Sequence, residues 1–140
     1  MIDHVSIGVR SLERSSRFYE AVLGAIGFSK LVVRPGTVGF GTRYAVFWLN
    51  VRPGMAPVEQ GTGSHIALRA KSAAEVDAFH RAALAEGGSS DGEPGLRRYS
   101  KANVYAAFIR DLDGHRIEAL ALIERESSFN GDQPANGAAD

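Results

Sequence analysis

The sequence contains no cysteine among its 140 residues. That absence excludes disulfides, zinc–thiolate sites and a cysteine nucleophile. Charge of one sign is also lacking: sixteen Lys and Arg balance sixteen Asp and Glu. Nothing in this balance favours a nucleic acid or an anionic membrane as partner. There is no run of about 18 apolar residues, so no spanning helix is expected. The opening MIDHVSIGV lacks the basic segment and long apolar stretch of a signal peptide, and a cytoplasmic protein is the default expectation.

What is present is an ordinary globular composition, 44% hydrophobic and 23% charged. The length suits one domain. From residue 125 to 140 the chain is polar, rich in Gly, Ala, Asn and Asp and without periodicity, which predicts a disordered tail.

Alternation predicts a first strand within Met1–Val9, with Val5, Ile7 and Val9 on one face and His4, Ser6 and Gly8 on the other. Ser11 is a suitable N-cap for a helix over about 12–23, with Leu12, Tyr19, Val22, Leu23 and Ile26 buried. Short strands are expected at about 28–34, 38–41 and 44–51, with turns at Pro35–Gly36 and Gly41–Thr42. The stretch 52–63 reads as a linker. The pattern then restarts: a strand over 64–70, a helix over 72–86 with Val76, Phe79, Ala83 and Leu84 inward, and a loop-rich segment from Gly88 to Asn103. Strands over 104–110 and 115–123 follow, joined by the turn DLDG. Strand, helix, then strands thus occurs twice, over 1–51 and 64–124, an internal repeat.

Superposing DHVSIGV on SHIALRA aligns His4 with His65. Superposing YAVFWLN on HRIEALA aligns Phe47 with Glu118. His4, His65 and Glu118 all fall on the strand faces opposite the helices, whereas Trp48 falls in phase with the helix side. Joined into one curved sheet, the two halves would bring the three polar residues together. Two imidazoles and a carboxylate suit a divalent ion, with Zn, Ni, Fe and Mn all compatible, and leave coordination positions open for substrate. A cation would also offset the cost of a carboxylate within an apolar strand. The alternatives are that each His is a packing residue and that Glu118 pairs with Arg69 or Arg116. His80 reads as solvated surface and His115 as a rim residue. Arg97, Arg98 and Tyr99 form a basic loop segment, either solvated or placed over a cavity to hold an anionic substrate.

The paired βαβββ order, the two His at the starts of the modules and NVYAAFIRDLDGHRIEAL (103–120) resemble the vicinal oxygen chelate superfamily. That group includes glyoxalase I, extradiol dioxygenases, fosfomycin-resistance enzymes and bleomycin-resistance proteins. The resemblance covers about residues 1–124. It implies an α+β fold in which two βαβββ modules form an eight-stranded, open-sided barrel with helices on its outer face. It also implies a homodimer and a metal-dependent small-molecule enzyme (lyase, dioxygenase or transferase), with His4, His65 and Glu118 as metal ligands. Metal-free drug binding, as in bleomycin-resistance proteins, is the non-enzymatic alternative.

Glyoxalase I carries a fourth ligand, a Glu on the last strand of its first module. The repeat puts Phe47 there, which speaks against glyoxalase I activity. Beyond the ligands, Glu118 and Tyr99 are the expected catalytic groups, with Arg97, Tyr105 and Phe47 as substrate contacts.

Overall fold

The computed structural model describes residues 1–100 and 102–123. The tail expected over 125–140 lies outside the described residues. Ten elements follow in order: β1 (Val5–Val9), α1 (Leu12–Gly24), β2 (Ser29–Arg34), β3 (Thr37–Gly41), β4 (Ala45–Val51), β5 (Ile66–Arg69), α2 (Ala73–Ala85), β6 (Ser89–Arg98), β7 (Asn103–Arg110) and β8 (Arg116–Ile123). They form two four-stranded sheets, ordered β1-β4-β3-β2 and β5-β8-β7-β6. The class is α+β, with the βαβββ unit repeated as expected. The eight strands stay as two mixed sheets and do not close into a barrel.

Each helix starts where its cap dictates. The Ser11 hydroxyl accepts from the Arg14 amide at 3.2 Å, and the Ser72 hydroxyl accepts from the Glu75 amide at 3.2 Å. Such caps satisfy amides that the first turn leaves without partners. Each helix carries the chain across its sheet, so that the first and last strands of a module pair in parallel, β1 with β4 and β5 with β8. The remaining pairs are antiparallel. The turn between β2 and β3 uses Gly36 at φ +85°, a conformation glycine adopts without strain.

The core lies between helices and sheets. From the first module it takes Val9, Phe18, Tyr19, Val22, Phe40, Phe47 and Leu49, and from the second Val76, Phe79, Ala107, Ile109, Ile117 and Ala119. Burying one such large side chain contributes roughly 1.5–3 kcal/mol.

Three expectations are corrected here. The segment expected as a loop over 88–103 contains the ten-residue strand β6. Gly92, Pro94 and Gly95 break its alternation, and two register shifts against β7 accommodate them. An edge strand tolerates such bulges. Leu84, expected inside, is 44% exposed. His80, expected on the surface, is buried and lies 2.8 Å from the Ser90 hydroxyl. Positions 76, 79, 80 and 83 form one helical stripe, so the spacing itself places His80 inside.

Polar groups of the DLDG turn fasten the two modules. Arg10 donates through Nε to Asp113 at 2.8 Å, and the His115 Nε2–H donates to the Gly8 carbonyl at 2.7 Å. Asp111 accepts at one oxygen from the amides of Asp113 and His115, both at 2.9 Å, and at the other from the Tyr19 hydroxyl at 2.5 Å. Burial pushes the Asp111 carboxyl above its ordinary pKa, outweighing the lowering effects of His115 and of the hydrogen bonds it accepts. Burial, reinforced by the Asp111 charge, likewise holds the Tyr19 phenol well above its own, so it stays a donor. His115, expected at the rim, is therefore a half-buried junction residue.

Candidate functional site

His4 and His65 occupy equivalent places, each immediately before the first strand of its module. In the second module, Glu118 sits opposite Ala67 on β5 and opposite Phe108 on β7, facing away from the helix. Its side chain is only 8% exposed, and its Oε1 lies 3.1 Å from Nε2 of His65. The His65 Nδ1 is 3.2 Å from the Gly63 carbonyl. The carbonyl can only accept, so Nδ1 carries a proton, and Nε2 is the nitrogen that faces the carboxylate, pairing with it when it too is protonated. Phe108 flanks the pair, its ring 5.6 Å from the His65 ring.

Arg116 does not neutralise Glu118. Its guanidinium lies over the Phe108 ring at 4.1 Å and donates to Asp91. Arg110 also reaches Asp91, at 3.4 Å. A buried carboxylate facing an imidazole nitrogen is a poor arrangement for stability alone. As a donor set it fits a divalent cation well: one nitrogen and one oxygen converge, and the carbonyl behind the ring fixes its tautomer.

In the first module His4 carries the same device. Its Nδ1 is 2.6 Å from the Asp3 carboxylate, which leaves Nε2 as the free nitrogen. His4 is half exposed and lines a cavity of about 490 Å³ with Ser6, Arg34, Trp48 and Asn50. The structure thus brings His65 and Glu118 together and leaves His4 on the other sheet. Among the described residues, no group of three or more His, Cys, Asp or Glu side chains could hold a metal ion.

The strand register corrects the repeat. Val5 pairs with Phe47 and Ser6 with Trp48, while Ile66 pairs with Ile117 and Ala67 with Glu118. The counterpart of Glu118 is therefore Trp48, one residue beyond the expected Phe47. Phe47 is wholly buried on the helix side, its ring 5.1 Å from that of Tyr19. It cannot touch a ligand in the cavity. Trp48, expected in the core, covers Gly39 on the opposite face, where a β-carbon would come within 2.8 Å of the indole. The pairing of Phe40 with Phe47 in the core fixes the phase of β4.

Tyr105 also lies on the helix side, and its hydroxyl donates to Asp77 of α2 at 2.7 Å. That hydrogen bond is the main reason its phenol pKa is raised. The geometry therefore takes it out of the candidate substrate contacts. Arg97 pairs with Val104 and shares the face of Glu118, with one guanidinium nitrogen donating to the Glu93 carbonyl at 3.1 Å. Tyr99, two residues on, is exposed at the turn after β6. Sequence reasoning missed Arg34, Asn50 and Ser6, because a polar residue at a hairpin or strand end looks like ordinary solvated surface.

Comparison with known proteins agrees with this architecture. The glyoxalase/bleomycin resistance protein/dioxygenase superfamily profile matches residues 1–119. A glyoxalase/bleomycin resistance protein from Albidiferax ferrireducens T118 is 35% identical, with a TM-score of 0.76 over 85% of this chain and 97% of that one. The fosfomycin resistance protein FosX from Mesorhizobium loti shares the fold at 17% identity, with a TM-score of 0.62 over 92% and 96%. A glyoxalase I mutant from Zea mays shares it at 24% identity, with a TM-score of 0.64 over 84% of this chain and 44% of that one. Among curated proteins nothing matches. The repeated βαβββ order, the two mixed sheets and the profile match together establish that the chain belongs to the glyoxalase/bleomycin resistance protein/dioxygenase superfamily.

Proposed function

We propose that the protein is a metal-dependent enzyme acting on a small molecule, with His4, His65 and Glu118 as the metal ligands. The observation that carries this reading is the shared ring geometry. Both His rings are tied at Nδ1, to Asp3 and to Gly63, so that each presents Nε2 away from that tie. Glu118 is buried against one of those nitrogens. A packing histidine has no need of this arrangement, whereas a metal ligand does.

One chain supplies His65 and Glu118 at one face and His4 at another. We therefore assign the third ligand to a second copy: His4 of one chain completes the His65–Glu118 pair of the other in a homodimer. A divalent ion held by this set would act as a Lewis acid toward adjacent oxygens of the substrate. The chain's own residues do the rest. Gly63 and Asp3 orient the rings, Phe108 shields Glu118 from water, and Arg97 and Tyr99 flank the outer end of the same face as substrate contacts, Tyr99 as the proton carrier.

Because Trp48 occupies the counterpart of Glu118, the site has no second carboxylate to ligate or move a proton. The isomerisation of glyoxalase I is therefore not the activity proposed.

Metal-free ligand binding is the second reading. It is favoured by the separation of His4 from the other two ligands within one chain. Metal analysis of protein purified without a nickel column, followed by zinc titration, separates the two. Stoichiometric metal that His65→Ala abolishes supports the enzyme, whereas no bound or titratable metal leaves the binding protein.

A further inference from the structure

The cavity beside His4 is built from donors. Asn50 links its neighbours: Thr37 donates to Asn50 Oδ1 at 3.0 Å, and Asn50 Nδ2 donates to the Ser6 hydroxyl. Since Ser6 accepts there, its own proton is directed elsewhere, and the side with space is the cavity. Arg34 adds a permanent cation. It sits at the β2–β3 turn, where an arginine would ordinarily extend into water. Its guanidinium instead lies over the Trp48 ring, 5.8 Å from the centroid. Among the described residues no carboxylate is paired with it. The acidic residue of the cavity, Asp3, is engaged by His4.

Lying over the indole without a paired carboxylate, Arg34 keeps guanidinium N–H groups with which it can grip a carboxylate through two parallel hydrogen bonds. Gly39 makes this placement possible, because any β-carbon there would lift the indole and the arginine with it.

We propose that this cavity binds the anionic end of the substrate, and that Arg34, steadied on Trp48, selects a molecule bearing a carboxylate apart from its metal-chelating oxygens. The inference rests on the reading that the cavity beside His4 belongs to the substrate site. Ser6 supplies a second donor to the same group. A neutral analogue would offer these donors no anionic partner, and the difference in affinity is the discrimination.

The test measures the affinities of 3,4-dihydroxybenzoate and of catechol by calorimetry, on protein with and without added zinc. The two probes share the adjacent oxygens and differ by the carboxylate. The carboxylate probe is expected to bind more tightly, and Arg34→Met to reduce that preference by about ten- to a hundredfold. Arg34→Lys keeps the charge without the planar fork and should recover only part of it. Arg34 is exposed, so these variants fold, and zinc affinity, measured separately, should not change. Equal binding of the two probes, no binding of the carboxylate probe, or a preference that survives Arg34→Met would each overturn the inference. Failure of zinc to bind, with the Arg34-dependent preference intact, would overturn the metal reading alone.

Discussion

The Nε2 of His65 points at the Glu118 carboxylate from 3.1 Å, while His4, its equivalent in the first module, has no such carboxylate beside its free nitrogen. In the proposed function the two modules carry complementary parts of one donor set. If two copies assemble the site, defects in different chains can compensate each other.

That compensation is the first prediction. His4→Ala and His65→Ala homodimers should each lose metal binding. A co-expressed mixture should regain it, because one of the two sites in a heterodimer then has His4 from one chain and His65–Glu118 from the other, all intact. Zinc stoichiometry after size-exclusion chromatography reads the result directly. Mixed protein that binds no more metal than its parents would place the ligands within one chain.

The Phe47 and Trp48 assignments separate stability from binding. Phe47→Ala empties part of the core and should cost about 3–5 kcal/mol by urea unfolding, while Phe47→Leu should cost less and leave metal affinity unchanged. Trp48→Glu installs a carboxylate at the counterpart of Glu118. It should raise zinc affinity by roughly tenfold or more, the scale at which added ligands and their partners act. Wild-type protein should not turn over the glutathione–methylglyoxal hemithioacetal. Efficient turnover, or zinc affinity that follows Phe47 rather than Trp48, would reverse the assignment.

Asp111 gives a third prediction. Asp111→Ala strands two amides and the Tyr19 hydroxyl, and should destabilise by about 2–4 kcal/mol. The carboxyl has a raised folded-state pKa, so the folded chain holds this proton more tightly than the unfolded chain. Its contribution is complete below the ordinary carboxylate value of 3.8 and is lost as pH rises through the folded value. The stability of wild type relative to Asp111→Asn should therefore fall as pH is raised above 3.8 toward neutrality. A difference that stays flat across that range, measured by urea unfolding, would contradict the shift.

Much of this was legible in the sequence because periodicity and turns are local signals. The two helices, the Ser11 cap, seven of the strands and the repeat follow from residues within a few positions of one another. The pairing of His65 with Glu118 was legible too, since both break an apolar alternation on the same face. The phase of β4 was not. YAVFWLN is apolar on both faces, and only its pairing with β1 and β3 decides that Phe47 points inward. β6 was hidden for the opposite reason: its glycines and proline obscure a strand whose bulges only β7 reveals. Arg34 over Trp48 is invisible to spacing, because it depends on a side chain folding back across a sheet.

The parallel pairing of first and last strands bears on the order of synthesis. Each sheet has its first strand bonded to its fourth, so neither is complete until its final strand has been made. The first sheet is complete at Val51 and the second only at Ile123, the end of β8. As the chain emerges, every strand of the first sheet has been made while His65 still awaits its carboxylate. Glu118 therefore enters the protein late, on the strand that closes the second sheet.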